Sequence, residues 1–475
     1  MVSNLTSNLL KFEKMKIKYL LVFAIAALFC SCGESWMDLE PQTSIPTEKA
    51  IQSAQDAEYA INGIYNTLQD YEYYGARMTY YGDVTGEDAQ AASNTKRCAD
   101  YYMFQYNKDN APTSLWRLPY KVMRLANNLL AADPKYVSDD IKGQALTLRA
   151  LALFDVTRVY GYPYEKDNGA SWGGIIMTES PAYNEKPVRN TVFECYQQIL
   201  TDLNAAILLL KPDKNPGKIN LFAAKALLAR VYLYQGNSKS ALATAEEVIT
   251  NAEAKGYRLW TNAEYLEGWK TGLDTEVFFK VINTAVDNAG NESIGNLYHE
   301  KGYKDIIPSS NFKTLMATDT KDIRNKLISS KGYHTKYMGN AADEDQRSSD
   351  VPIIRLSEVY LIAAEAAVKE LNNTKAVTYL NKIANRANPA VTVTGTVTLD
   401  QVLTERRKEL FGEGHRFFDA MRNNVTIKRD GSSHLSALAV AARSYNWDYY
   451  KIVLPVPKYE MDANENMRDQ QNPGY

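Results

Sequence analysis

Histidine and recognisable catalytic motifs are scarce in this sequence. It has four histidines among 475 residues. It contains neither the HExxH motif of zinc hydrolases nor a glycine-rich loop of the kind that binds phosphate. The sequence therefore predicts no catalytic residue, no metal site and no cofactor, and we expect a protein that is not an enzyme.

An excess of charge of one sign and a long apolar segment are also lacking. The 54 basic and 56 acidic residues give a net charge of -2, and a nucleic-acid-binding protein needs a basic field that this balance does not supply. The apolar run from Tyr19 to Cys30 is too short to span a bilayer. Tyrosine, by contrast, is abundant, with 33 copies against 13 phenylalanines. Its flat ring and polar tip suit both protein interiors and wet recognition surfaces.

The N-terminus has the pattern of a secretory signal. Lys16 and Lys18 precede the apolar run, and small residues follow it. We predict a signal peptide over residues 1–31, with Met15 as the working start because residues 1–14 carry no export pattern. The run that ends at Cys32 resembles a bacterial lipobox, which predicts lipidation of Cys32 and a membrane anchor. An ordinary secretory cleavage nearby is the alternative.

Two further cysteines, Cys98 and Cys195, remain in the mature chain. They could form a disulfide in an oxidising compartment. Cys195, however, lies among apolar residues at helical spacing. A buried free thiol is therefore the favoured state.

Apolar residues recur at helical spacing in five ranges of the chain. We predict a helical scaffold over about 48–71, 113–132, 141–160, 191–254 and 353–388. From Asn220 onward, small and aromatic residues follow the spacing of a tetratricopeptide helix pair, and a weaker copy follows Leu356. If the earlier helices are degenerate copies, the fold is mainly α, with about four tetratricopeptide-type helix pairs in a short solenoid and few short strands.

Helical periodicity fails over about 72–112 and 257–348, and both ranges are rich in aromatic residues. We predict one strand here, at 276–282. Long irregular stretches in compact proteins usually carry function, so we expect the ligand-binding part in these two ranges. Each aromatic ring there either packs in the core or presents a flat face to a ligand. The candidate ligand-binding residues are Tyr74, Tyr81, Tyr101, Tyr102, Trp269, Tyr298 and Tyr303.

The segment from Glu405 to Arg422 combines an apolar helical pattern with many charges. Gly412 and Gly414 predict a break into two half-helices, because two glycines so close together disfavour a continuous helix. Arg406 and Glu409 are expected on a charged outer side. Charged residues three positions apart predict ion pairs along one face, namely Glu413–Arg416, Arg416–Asp419 and Asp419–Arg422.

Acid–base catalysis by carboxylates beside His415 is the alternative interpretation of this segment. Glu409 and Glu413 lie one helical turn apart among basic residues. Such carboxylates are expected to be ionised and structural, whereas a general acid needs a raised pKa. The structural interpretation is therefore favoured.

Five motifs in chain order resemble the SusD-like (RagB/SusD) family of glycan-binding outer-membrane lipoproteins. Each motif alone is moderately specific, but together they extend from Cys32 to Tyr475. The resemblance implies a single SusD-like domain over residues 32–475. The motifs are the lipobox, the segment from Trp116 to Asn128, the segment from Arg355 to Ala366, the segment from Glu405 to Arg422, and a C-terminus in which a proline-broken strand at Ile452–Pro457 precedes Asn-Pro-Gly-Tyr.

The resemblance also implies a location and a role. The protein would be lipid-anchored in the outer leaflet of the outer membrane and would face the exterior. It would capture an oligosaccharide for import through a SusC-like TonB-dependent barrel. Two alternatives stay open: a peptide- or glycoprotein-binding member of the same family, and a glycoside hydrolase, which needs two carboxylates at a defined separation in a groove.

Overall fold

The structure is a computed structural model that describes residues 50–182, 184–271, 273–340 and 345–475. The predicted signal peptide and Cys32 lie outside the described residues. Within them, residues 53–475 form one unit.

Eight helices of at least 14 residues form the scaffold of the described chain. Each of them packs against the next along the sequence, which gives four helix pairs. The prediction of a mainly helical fold with four stacked pairs is confirmed. The helices are α1 (Ala54–Gln69), α2 (Ser114–Leu130), α3 (Asp139–Tyr160), α4 (Val192–Ile207), α5 (Leu221–Tyr234), α6 (Ser238–Glu253), α7 (Leu356–Lys369) and α8 (Asn373–Ala387).

Local chemistry fixes where most of these helices begin. Six of the eight start with a Ser, Thr or Asn side chain that accepts a hydrogen bond from a backbone N–H of the first turn. At Thr191 the cap is reciprocal, because the Glu194 side chain accepts from the Thr191 backbone N–H. Such caps satisfy backbone groups that a helix terminus otherwise leaves unpaired, and each contributes about 1 kcal/mol.

Small residues and burial explain the stacking. Ala241, Ala245 and Ala252 are buried on α6, and α5 is buried around almost its whole circumference. Side chains of this size allow two helices to approach closely. The helix-pair repeat predicted from the sequence therefore corresponds to two packed helices, α5 and α6.

Shorter elements occupy the two loop-rich ranges and the C-terminal region. The strands form three antiparallel pairs: β1 (Ala89–Ala91) with β3 (Ile306–Pro308), β2 (Val277–Val281) with β4 (Val351–Arg355), and β5 (Ile427–Lys428) with β6 (Ser444–Tyr445). Short α-helices span Arg77–Val84, Ala99–Tyr102, Tyr164–Asp167, Tyr265–Thr271, Ile294–Tyr298, Ser310–Ala317 and Lys458–Ala463. The 3₁₀ helices are Gly290–Glu292, Ile323–Leu327, Gln346–Ser348, Val440–Ala442, Tyr450–Ile452 and Glu465–Gln470.

The strands connect parts of the chain that are far apart in sequence. The predicted strand at 276–282 is confirmed as β2, whereas its partner β4 was not predicted. Pairing of β1 with β3 joins the two loop-rich ranges to each other. The segment Ile452–Pro457 forms no strand, contrary to the expectation from the family pattern. Its two prolines lack the N–H groups that a strand ladder requires, and the Leu454 N–H bonds to the carbonyl of Val159 instead.

The glycines of the 405–422 segment break it into two helices, as predicted. Helix α9 spans Leu399–Glu409 and α10 spans Arg416–Arg422. Gly412 and Gly414 between them have φ values of 81° and 78°, which favour glycine. A Cβ atom on Gly414 would lie 2.7 Å from the backbone oxygen of Thr79. The break therefore allows the chain to approach the helix Arg77–Val84 closely.

Arg406 and Glu409 are buried, which corrects their expected position on a charged outer side. Of the predicted ion pairs, Asp419–Arg422 forms at 2.7 Å. The other two predicted pairs are wrong, because partners from distant segments replace them. Glu413 binds Arg355 and Lys336, at 2.7 and 2.8 Å, and Arg416 binds Glu87.

One group of these residues is called here the buried charge cluster. Arg355 lies 2.5 Å from Glu276 and 3.2 Å from Glu409, and Arg386 lies 2.7 Å from Glu409. Burial alone would raise the pKa of Glu409, but the neighbouring arginines lower it to about 2. Burial would also raise the pKa of Glu413, but the charges of Arg355 and Lys336 hold it below its usual value. The cluster consists of Glu276, Lys336, Arg355, Arg386, Glu409 and Glu413.

These pKa directions argue against acid–base catalysis in this segment. Burial lowers the pKa of His415 to about 4, so this side chain is neutral at physiological pH. Glu409 and Glu413 are ionised and held by cations. The structural interpretation of the segment agrees with both observations.

Candidate functional site

Six of the seven predicted ligand-binding aromatics are buried, each at most 7% exposed. Their contacts are those of core residues: the Tyr298 hydroxyl donates to Asp83 at 2.7 Å, and Trp269 packs against the buried charge cluster, with Arg355 4.9 Å from its ring centre. A ring in this position offers no free face to a sugar. The expectation of an exposed platform is therefore corrected for Tyr74, Tyr81, Tyr101, Tyr102, Trp269 and Tyr298.

Tyr303 is the exception, with 38% of its surface exposed. It lies in an open, shallow depression that we call the Tyr303 groove. The space in the groove is about 750 Å³, part of it open to solvent. Amides and charged groups make up most of its wall. The lining residues are Asn291, Asn296, Lys301, Gly302, Tyr303, Asp345, Gln346 and Arg347.

A compact turn builds one wall of this groove. The N–H of Tyr303 donates to the carbonyl of Asn296 at 2.7 Å, and the N–H of Gly302 donates to His299 at 2.9 Å. A Cβ atom on Gly302 would lie 2.1 Å from the backbone oxygen of Asn296. Only glycine allows the chain to fold back this closely. The turn thereby places the Tyr303 ring at the groove's edge.

Amide hydrogen bonds join the two walls of the groove. The Gln346 side chain donates to the Asn296 side-chain oxygen at 2.9 Å, and Asn296 donates to the carbonyl of Asn291 at 2.7 Å. Gly295 approaches the opposite wall so closely that a Cβ atom there would lie 2.0 Å from the Gln346 carbonyl oxygen. These contacts hold the Asn296 and Gln346 amide side chains in fixed positions.

Arg97 connects the Tyr303 ring to nearby carboxylates. Its guanidinium carbon lies 4.1 Å from the ring centre, within the range of a cation–π interaction. The same guanidinium lies 2.7 Å from Glu292 and 3.0 Å from the buried Asp305. One side of the ring is therefore held by Arg97.

A second half-exposed aromatic, Tyr71, lies on the adjoining loop. Arg77 lies 5.8 Å from its ring centre and bonds Glu72 at 2.8 Å. The N–H of Ile294 donates to the carbonyl of Gly75, which joins this loop to the segment that carries Tyr303. Burial, followed by the Glu72 charge, raises the pKa of the Tyr71 hydroxyl, so the ring stays neutral. Both aromatic side chains thus lie on one connected surface.

The described carboxylates near the groove do not have the properties of a catalytic pair. Asp345 lies 2.6 Å from Arg347, whose hydrogen bonds lower the pKa of that carboxyl. Glu292 is paired with Arg97. A glycosidase acid needs a raised pKa, whereas the pKa of the Asp345 carboxyl is lowered and Glu292 is held in an ion pair. The arrangement suits binding of a polar, uncharged molecule.

The sequence Gly169–Gly173 fits the GxSxG pattern of serine hydrolases, but its structural context differs. In those enzymes the serine lies on a turn between a strand and a following helix. Here Ser171 follows the short helix Tyr164–Asp167, and its backbone N–H donates to Asp167. The next residue, Trp172, forms a bridge with Thr191. The GxSxG match therefore belongs to a structural turn and does not indicate a serine hydrolase.

Comparison with known proteins places the chain in a family. The SusD family model matches residues 225–475, and a model described as "Starch-binding associating with outer membrane" matches residues 35–233. A SusD-like protein of Bacteroides ovatus is 25% identical, over 85% of this chain and 82% of its own length.

Solved structures agree in fold over almost the whole chain. A putative sugar binding protein from Bacteroides vulgatus is 45% identical, with a TM-score of 0.85, over 90% of this chain and all of its own. A SusD superfamily protein from Bacteroides thetaiotaomicron is 36% identical, with a TM-score of 0.83, over 89% of this chain and all of its own.

The fold and the groove together define a helical-repeat protein with a groove built from loops. The family models add the specific identification. This chain belongs to the SusD family of carbohydrate-binding proteins, which associate with the outer membrane. Among the described residues, no helix combines the length and the apolar character needed to cross a bilayer.

Of the residues that line the Tyr303 groove, the sequence predicted only Tyr303 as a candidate for ligand binding. The turn Gly302–Tyr303 after Asn296 gives a local signal of a loop with an exposed ring. No local signal links it to Gln346 and Arg347, which reach the groove from a separate loop. The missed groove residues are Asn291, Asn296, Lys301, Asp345, Gln346 and Arg347.

Proposed function

We propose that this chain is a non-catalytic cell-surface protein that binds an oligosaccharide in the Tyr303 groove. The observation that carries the proposal is one exposed aromatic ring among fixed amide groups in a shallow, open groove. Sugars present apolar C–H faces that stack on such rings, and hydroxyl groups that bond to amides. A wet site of this kind binds moderately, because loss of water from hydroxyl groups offsets much of the contact free energy.

Moderate affinity suits a protein that must release its ligand to a transporter. We therefore extend the proposal to delivery of the glycan to a SusC-like TonB-dependent barrel, with the helical scaffold facing that partner. Family membership supports this part of the proposal. Lipidation at Cys32 would hold the protein in the outer leaflet, facing the exterior.

The test uses residues 33–475 and affinity electrophoresis against plant, host and microbial polysaccharides, including starch and laminarin. We expect retardation by one glycan class without release of shortened sugars. Tyr303→Ala should abolish the retardation. Tyr59→Ala is the matched control, because this tyrosine is 66% exposed on α1 and is not among the groove residues.

Other outcomes would replace the proposal. Release of shortened sugars would support the hydrolase alternative. If no polysaccharide retards the protein and peptides or glycoproteins bind to it, the result would support a peptide- or glycoprotein-binding member of the family. Equal retardation of the protein and of Tyr303→Ala would place the site elsewhere.

A further inference from the structure

A second groove runs along helix α1, and we call it the α1 groove. Asn62, Asn66 and Gln69 lie on one face of the helix, at positions i, i+4 and i+7. This spacing places three amides along about 10 Å of the helix. Ile282, which is 42% exposed, lies on the opposite wall. The space inside is about 580 Å³, part of it open to solvent.

The amides of this groove differ in how firmly they are held. The Gln69 amide nitrogen donates to the carbonyls of Ile282 and Asp287, at 3.1 and 3.2 Å. Its oxygen accepts from Asn66 at 3.4 Å. Asn62 and Asn66 are exposed, so the amide row is anchored at one end and accessible along the rest.

The two lysines that line the α1 groove form ion pairs. Lys218 lies 2.9 Å from Glu58, and Lys280 lies 2.8 Å from both Asp274 and Asp350. These ion pairs reduce the local field that would otherwise favour an anion. Amides that both donate and accept, beside a small apolar surface, match a neutral polyol better than a charged ligand.

One segment of the chain contributes to both grooves. Ile282 and Asp287 line the α1 groove, and Asn291, Asn296 and Tyr303 are among the residues that line the Tyr303 groove. The segment is fixed to α1 by Gln69, and it is fixed to the loop that follows α1 by the Ile294–Gly75 hydrogen bond. Tyr71, two residues after Gln69, lies on that loop. Asp287 and Asn291 are four positions apart, so lining residues of the two grooves lie within about 14 Å of each other along this segment.

We propose that the α1 groove is a second carbohydrate subsite and that the ligand is an uncharged oligosaccharide long enough to contact both grooves. The inference rests on the proposed function, since the first sugars are taken to bind at Tyr303. In this arrangement the Tyr303 groove holds one part of the oligosaccharide. Asn62 and Asn66 then bond hydroxyl groups of sugars further along.

The test measures affinity against ligand length by calorimetry. The probes are fragments of about two to ten sugar units, prepared from the polysaccharide that retards the protein. Asn62→Ala/Asn66→Ala should weaken binding of the longest fragments about tenfold and leave the shortest fragments within about twofold. Asn204→Ala is the matched control, because this exposed asparagine bonds a carbonyl of its own helix.

The outcomes separate this inference from the proposed function. Tyr303→Ala should weaken binding of fragments of every length. If the double variant binds every fragment as the unaltered protein does, the second subsite is wrong and the Tyr303 site stands. If it loses affinity equally at all lengths, the α1 groove is not a separate subsite for longer ligands, and the result for Tyr303→Ala decides whether the Tyr303 site stands. If no polysaccharide is bound at all, both proposals fail.

Discussion

The buried charge cluster and the Tyr303 groove both combine arginine with carboxylate next to an aromatic ring, Trp269 and Tyr303 respectively, yet their surroundings are opposite. In the cluster, Arg355 is 1% exposed and holds three carboxylates. In the groove, Arg347 is exposed and holds Asp345 at the surface. The same residue types are therefore enclosed in one region and exposed to solvent in the other.

The difference follows from desolvation. A buried ion is costly unless several partners replace its water, so removing one partner leaves the others uncompensated. An exposed ion pair is solvated with or without its partner, and each pair contributes little to stability. Mutations in the cluster should therefore affect folding, whereas mutations in the groove should affect binding.

The largest effect is expected from Arg355→Met. It leaves Glu276, Glu409 and Glu413 buried with fewer cations, so we expect a loss of about 3–5 kcal/mol in the free energy of unfolding. Urea denaturation followed by circular dichroism measures it. Met keeps the length and apolar contacts of the side chain. A loss below about 1 kcal/mol would show that the cluster does not stabilise the fold.

The cost of burying a charge can also be tested by changing the pH, because Asp83 is a buried carboxyl group. Burial raises its pKa to about 7, although Tyr298 and the Gly414 N–H donate to it. The folded protein therefore binds this proton more tightly than the unfolded chain. Its contribution to stability is complete below about pH 4 and is lost as the pH rises to about 7.

Asp83→Asn should remove that loss, because an uncharged amide can accept from the Gly414 N–H with its oxygen and donate to the Tyr298 hydroxyl with its nitrogen. The stability of the variant relative to the unaltered protein should rise by about 2–4 kcal/mol between pH 4 and pH 7. Denaturation series at several pH values measure the difference. A difference that does not change with pH would contradict the raised pKa.

Gly302→Ala tests the turn that forms the groove. The added Cβ would collide with the Asn296 backbone, so we expect a loss of about 1–3 kcal/mol in stability and weaker glycan binding. Gly63→Ala is the matched control, because its Cβ would meet no atom within 4 Å and it lies inside α1. That change should stabilise the protein by about 1 kcal/mol. Equal effects of both changes would contradict the steric argument.

The smallest effect on stability is expected from Arg347→Ala. This side chain is 46% exposed and pairs with Asp345 at the surface. Its loss should change the free energy of unfolding by about 0.5 kcal/mol or less. Urea denaturation of Arg347→Ala and Arg355→Met under the same conditions compares the loss of stability in the groove with that in the cluster. A loss comparable to that of Arg355→Met would remove the contrast.

Sequence patterns predicted those parts of the molecule that depend on near neighbours. The α5–α6 pair followed from apolar and small residues at fixed spacing, and the break before α10 followed from Gly412 and Gly414. Arg416 instead pairs with Glu87, which lies 329 positions away. No local pattern identifies such a partner, because folding of distant segments creates the contact.

The candidate site shows the same limit. Tyr298 and Tyr303 lie five positions apart in one aromatic, loop-rich segment, and composition does not distinguish them. The structure buries Tyr298 against Asp83 and leaves Tyr303 beside Arg97 at the surface. Which ring is exposed is decided by packing against other segments, so composition alone does not distinguish the two tyrosines.

The central claim is that the exposed Tyr303 groove binds the glycan and contributes little to folding. Calorimetric titration of Tyr303→Ala with the bound glycan, beside urea denaturation of the same sample, tests it most directly. The account predicts at least about tenfold weaker binding and a free energy of unfolding changed by no more than about 0.5 kcal/mol. Unchanged affinity in a folded variant would contradict the claim.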